Sequence, residues 1–121
     1  MDADFIRDLF SEFGPVDVRR MFSGAGVYAD GIVFALVLRD VLYLTADEQS
    51  APRFEAEGCE RFDYTRKSGR RGHLPYWRLP DRLYDDPAEL AEWARVALAV
   101  ARVRKAAKVK RKKPSGKKKR R

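Results

Sequence analysis

Asp30-Gly31 stands between Gly26-Val27-Tyr28-Ala29 and Ile32-Val33-Phe34-Ala35-Leu36-Val37-Leu38. An Asp-Gly pair between two β-forming runs favours a two-residue type I′ turn, and that turn makes its flanking strands antiparallel. Arg39-Asp40 makes the next tight turn, and Val41-Leu42-Tyr43-Leu44-Thr45 reads as the strand after it. A parallel pair needs a crossover of about a dozen residues or more, for which these segments leave no room. The chain is thereby committed to an antiparallel meander.

The flanking segments add helices. Phe5, Ile6, Leu9, Phe10 and Phe13 share one helical face, so a helix is expected over residues 3 to 13, stopped by Gly14-Pro15. Val16 to Phe22 is a further strand. Thr45 or Asp47 can cap a short second helix, about 48 to 57, which tolerates Pro52 only if it begins late and which Gly58 ends. Arg61–Tyr64 and Tyr76–Leu79 read as strands joined by the basic loop 66–73, with Arg66, Lys67, Arg70, Arg71 and the lone His73. Asp86-Pro87-Ala88-Glu89 is a helix start with a capping aspartate and a proline in the first turn, and Leu90, Trp93, Ala94, Ala97, Val100 and Ala101 form the buried stripe that follows. The order αββββαββα predicts a two-layer α+β domain, an antiparallel sheet of five to six strands with helices on one face.

Charge divides the chain more sharply than hydropathy does. Residues 102–121 hold thirteen of the twenty-six basic side chains and no acid: Arg102, Arg104, Lys105, Lys108, Lys110, Arg111, Lys112, Lys113, Lys117, Lys118, Lys119, Arg120 and Arg121. All eighteen acids lie in residues 1–101, which makes that body acidic. We therefore read 1–101 as one domain and 102–121 as a basic tail, helical to about residue 110 and disordered beyond Pro114. The tail has the composition of a sequence-independent contact to DNA or RNA phosphates. One cysteine, Cys59, excludes an internal disulfide, and no apolar run nears the ~20 residues of a membrane span. A cytoplasmic protein without a membrane role is expected, nucleoid-associated where the tail binds.

Arg19-Arg20-Met21-Phe22-Ser23-Gly24-Ala25-Gly26-Val27-Tyr28-Ala29-Asp30-Gly31, then Phe34-Ala35-Leu36, Leu42-Tyr43-Leu44, Phe54, Gly58, Phe62, Tyr64, Pro75-Tyr76-Trp77-Arg78-Leu79-Pro80 and Trp93-Ala94, closely resemble the N-terminal domain of the TfoX/Sxy competence-regulator family. The resemblance spans residues 4 to about 101. It implies a curved antiparallel sheet similar to secretion-chaperone folds, a role in regulating transcription of DNA-uptake genes beside a cyclic-AMP-receptor-type activator, and no established enzyme activity. Longer members carry a second, helical domain where this chain has its basic tail.

The residues themselves give the Met21, Phe22, Gly24, Gly26, Tyr28, Asp30 and Gly31 block a mainly architectural reading, since glycines in strands mark bends or close backbone approach. Gly24-Ala25-Gly26-Val27-Tyr28-Ala29 also matches a dinucleotide fingerprint in letters, but a tight turn follows where that motif needs a helix N-terminus. Adjacent Arg19 and Arg20 must point to opposite faces of a strand, and one is a candidate surface contact. Tyr76 and Trp77 must likewise diverge, which leaves one available to a partner together with Tyr28, Phe34 or Tyr43. One histidine and one cysteine cannot build a four-ligand metal site, nothing near Cys59 predicts a thiolate, and Asp47-Glu48 and Asp85-Asp86 read as helix caps. No catalytic, metal or cofactor residues are expected. The reading is a regulatory domain that meets a transcription-factor partner through its body and nucleic acid through its tail; the alternative is a homodimeric, chaperone-like adaptor with no nucleic-acid role.

Overall fold

The computed structural model describes residues 1–21, 24–65, 69 and 71–118, and the side chains of these except 63–65, 71–73 and 109–118. Phe22, Ser23, most of the basic loop and residues 119–121 lie outside the described residues. The element order is α1 (Ala3–Leu9), β1 (Asp17–Met21), β2 (Gly24–Ala29), β3 (Ile32–Leu38), β4 (Val41–Thr45), α2 (Ala51–Ala56), β5 (Arg61–Thr65), β6 (Arg71–Arg78), a 3-10 turn (Asp81–Asp85) and α3 (Pro87–Lys118). It is the predicted α+β order, with one added turn.

Asp30 and Gly31 both take positive φ, 52° and 75°, as a type I′ turn requires. Arg39 and Asp40 do the same at 50° and 61°. The resulting meander is the first part of one six-stranded sheet in the order β1-β2-β3-β4-β6-β5, antiparallel throughout. Register sorts the side chains. Val18, Val27, Ala35, Leu44 and Trp77 align across five strands on the face that the helices cover. Arg19, Gly26, Leu36, Tyr43 and Arg78 align on the other.

A bulge modifies that alternation. Val27 pairs with Ala35 but Tyr28 pairs with Val33, so Phe34 is an extra residue, and both Phe34 and Ala35 are fully buried. Phe34 meets the rings of Phe10 at 5.5 Å and Phe13 at 5.2 Å. On the other half of the core, Phe54 of α2 packs on Trp77 and Trp93 at 6.1 and 4.9 Å. Burying a side chain of this size contributes about 1.5–3 kcal/mol, so these rings are the main fastening of helices to sheet.

Several boundaries differ from the sequence expectation. The first helix ends at Leu9 rather than residue 13, because Phe13 and Gly14 both donate to the Phe10 carbonyl and close the chain into a turn. Phe5 lies off the buried stripe, 46% exposed. The second helix does begin late. Asp47 forms an acidic turn ahead of it, accepting from the backbone of Gln49 and Ser50, and Pro52 falls in its first turn. β6 starts at Arg71, well before Tyr76, with Pro75 inside it. Proline is tolerated there because the β5–β6 register shifts nearby, and the Pro75 carbonyl still accepts from Ala46.

α3 opens as predicted, with Asp86 accepting from the Glu89 backbone. Its stripe of Leu90, Trp93, Ala94, Ala97, Val100 and Ala101 is buried. The helix runs past Pro114 to Lys118, beyond the expected stop. Among the described residues no helix is long and apolar enough to cross a membrane.

Candidate functional site

The stripe of α3 continues by helical spacing from Ala97 and Ala101 to Arg104 and Lys108, so cations stand where a longer core would place apolar residues. From residue 102 the helix leaves the sheet. Two arginines hold its departing turn to the body: Arg102 pairs with Asp30 of the β2–β3 turn, and Arg104 donates from Nη1 to Thr45 Oγ1 at 2.6 Å and from Nη2 to the Ala46 carbonyl at 3.1 Å. Thr45 Oγ1 in turn donates to the Pro75 carbonyl at 2.9 Å. Asp30 therefore has a second role besides its turn conformation.

This departure opens a notch of about 320 Å³ between the helix and the end of the sheet. Tyr28, Ile32, Val33, Pro75 and Tyr76 form one wall, and Ala101, Arg104, Lys105 and Lys108 form the other. Burial raises the Tyr76 hydroxyl above its usual pKa, against the opposing effect of the nearby Arg104 charge. The notch thus joins an aromatic, apolar wall to a cationic one.

Tyr28 owes its place to a missing side chain. A Cβ on Gly26 would stand 2.9 Å from Tyr28 Cε1 and 3.1 Å from Met21 Cε, so only glycine leaves room for the ring to lie along β2. The Arg19 guanidinium stacks on that ring at 4.6 Å. Around them the helix-free face presents half-buried Val33, Leu36, Leu38, Val41, Tyr43 and Phe62, with Tyr43 and Phe62 in edge contact at 5.3 Å. It is a continuous apolar sheet face bordered by arginines.

Residues 8–101 match the TfoX N-terminal domain family. The chain belongs to that family. A stretch of 57 residues is 35% identical to the DNA transformation protein TfoX1 of Aliivibrio fischeri, covering 47% of this chain and 27% of that protein. The aligned part is thus about a quarter of the relative's length, and the basic end of α3 lies beyond the family match.

Within this TfoX-type domain the signature residues separate into distinct roles. Gly24 lets strands approach, since a Cβ there would meet the Val37 carbonyl oxygen at 1.9 Å, and Gly26 admits Tyr28. Neither glycine precedes a helix, so the dinucleotide resemblance is one of letters. Arg19 and Arg20 diverge as expected: Arg19 lies on the open face, and Arg20 lines a hollow of about 860 Å³ on the helix side beside Met1, Ile6 and Asp40. Met1 also lines that hollow, its amine paired with Asp40. Of the Tyr76-Trp77 pair, Trp77 faces the core and is withdrawn from any surface; Tyr76 reaches the notch.

The remaining candidates are placed apart from the notch. Cys59 is half-buried beside Glu57 and Asp81, and burial, then these charges, push its thiol up rather than toward thiolate. Among the described residues no group of three or more His, Cys, Asp or Glu side chains could hold a metal ion. Arg82 bridges Glu57 and Glu89, at 2.7 and 2.8 Å, tying α2 to α3. The side chains of Lys110, Arg111, Lys112, Lys113, Lys117 and Lys118 lie outside the description. The joining of Tyr28, Tyr76 and Arg104 was hidden in the sequence because the three are far apart along the chain; its local sign was the charge at positions 104 and 108, where the apolar stripe of α3 would continue.

Proposed function

We propose that this TfoX-type domain is a non-catalytic regulator of DNA-uptake genes that binds a transcription factor through its open sheet face and nucleic acid, with little sequence preference, through the basic end of α3. The observation that carries the reading is the continuity of α3: its first part is core, and its later part has lysine and arginine as its only ionisable side chains. A polyanion bound to the end of such a helix is held in fixed relation to the domain. The relative's name, a DNA transformation protein, supports the same direction.

The test uses a chain ending at Lys108, which keeps Arg102, Arg104, Lys105 and Lys108 and removes nine of the thirteen tail cations. Duplex binding is titrated with salt for both lengths. If six to nine cations meet phosphates, full-length affinity falls roughly 10³- to 10⁵-fold between about 50 and 200 mM salt, and the shortened chain loses most of that dependence. Equal affinity and equal slope for the two would exclude the tail as the binding element.

The open face supports a second reading, a homodimer, because half-buried Leu36, Tyr43 and Phe62 lie on it and no covering layer is found among the described residues. Sedimentation equilibrium separates the two. A mass twice that of the chain, lost on Leu36→Asp, assigns the face to a second copy; a monomer leaves it to the transcription factor.

A further inference from the structure

Arg104 differs in its partners from Arg82 and Arg102. Arg82 and Arg102 are neutralised by carboxylates. Arg104 is held by a hydroxyl and a backbone carbonyl, and among the described residues no carboxylate lies within ion-pair distance of it. A guanidinium has five N–H donors, so two fix its position and the rest are left over. Its charge is positioned without being cancelled, and Lys105 and Lys108 add two further cations to the same wall. Three unmatched cations at one point call for a multiply charged anion, and phosphate fits the planar fork of arginine.

The opposite wall restricts which phosphate. Inorganic phosphate would leave Tyr28, Val33 and Tyr76 in contact with water, whereas a ligand with a flat aromatic part covers them. A volume of about 320 Å³ is at the small end of the roughly 300–1,000 Å³ usual for ligand sites. We propose that the notch is a nucleotide subsite, with phosphate on Arg104, Lys105 and Lys108 and an unstacked base against the Tyr28–Tyr76 wall. It rests on the nucleic-acid reading above and deepens it. In a duplex the bases are already stacked and paired, so the occupant is one nucleotide of a single strand, and single strands are bound in preference to duplexes.

The experiment measures anisotropy of a labelled short single strand and of its duplex, near physiological salt, with the full chain, Tyr76→Leu and Arg104→Gln, after thermal melts confirm that each variant folds. The wild type should bind the single strand about 10-fold tighter than the duplex. Tyr76→Leu keeps apolar bulk but removes the stacking ring, and should cost about 10-fold on the single strand while leaving duplex affinity unchanged. Arg104→Gln removes a cation that either polymer can meet, so it should cost about 10-fold on the single strand and a smaller amount, that of one phosphate contact, on the duplex. Adenosine monophosphate is the competitor: displacement at millimolar concentration shows that one nucleotide suffices, and no displacement with the Tyr76 effect intact shows that the strand is required. Displacement by an acidic peptide as effective as the nucleotide would overturn base recognition. Equal binding of strand and duplex, insensitive to both substitutions, overturns the notch alone, and no binding of either polymer by the wild type overturns the nucleic-acid reading with it.

Discussion

Gly24→Ala isolates the architectural role of the signature segment in a single methyl group. The added carbon would stand 1.9 Å from the Val37 carbonyl oxygen and 2.8 Å from Leu38 Cδ2, where ordinary contact begins at 3.4 Å. The obstacle is backbone, so no rotamer change relieves it; β2 and β3 must separate locally by the difference of those distances. The backbone bonds of the Gly24–Leu38 and Ala25–Val37 region do not survive such a shift. Two lost bonds at about 0.5–1.5 kcal/mol each, with residual crowding of about 1–3 kcal/mol, give a loss of roughly 2–6 kcal/mol. Urea unfolding followed by far-UV circular dichroism should show a midpoint lowered by at least about 1.3 M and by up to about 6 M, given a slope of about 1–1.5 kcal/mol per molar for a chain of this size. Gly58→Ala is the internal comparison: it meets nothing within 4 Å and suffers only its positive φ of 77°, about 1–2 kcal/mol. If Gly24→Ala is no more harmful than Gly58→Ala, close strand approach is not why glycine is there.

Three further outcomes follow from the described contacts. The Glu89 carboxyl is lowered from 4.5 to about 2, chiefly by Arg82 and then by Trp93 Nε1. The stability it contributes is therefore complete above pH 4.5 and lost as pH falls toward 2, so melting temperatures of wild type and Glu89→Gln should differ most at neutral pH and converge near pH 2. Tyr84→Phe removes the acceptor for the Leu42 backbone N–H, now 3.2 Å from the phenol oxygen, and chemical denaturation should register a loss of about 1–3 kcal/mol. Cys59, with its thiol pushed up by burial and acidic neighbours, should react with iodoacetamide more slowly in the folded chain than in urea at the same neutral pH; equal rates would contradict that environment.

The parts of this fold that were legible in the sequence are those set by neighbours in the chain. Asp30-Gly31 and Arg39-Asp40 dictated two hairpins because a turn type is a local backbone requirement, and Asp86 with Leu90, Trp93, Ala94 and Ala97 gave both the start and the buried face of α3. What escaped depends on partners far away. β6 begins at Arg71 because it pairs with β5 there and with β4 further on, neither of which its own residues announce. The first helix stops short because Phe10 gathers two backbone donors. Phe34 and Ala35 share a face only because of a register shift against β2. The notch is the extreme case, since its two walls meet only after the sheet and α3 are assembled.

From Arg102 to Lys118 the helix carries ten cations over seventeen residues. At 1.5 Å per residue this is about one positive charge every 2.6 Å, between the roughly 1.7 Å spacing of phosphates along a duplex axis and the 3.4 Å of one of its strands. So dense a row repels itself, each like-charged pair one turn apart opposing the helix by about 0.2–0.5 kcal/mol. A bound polyanion would remove that opposition and gain a matching charged rod in return. Helix content measured by circular dichroism should therefore rise when an oligonucleotide or high salt is added, which makes the arm a reporter of its own ionic surroundings.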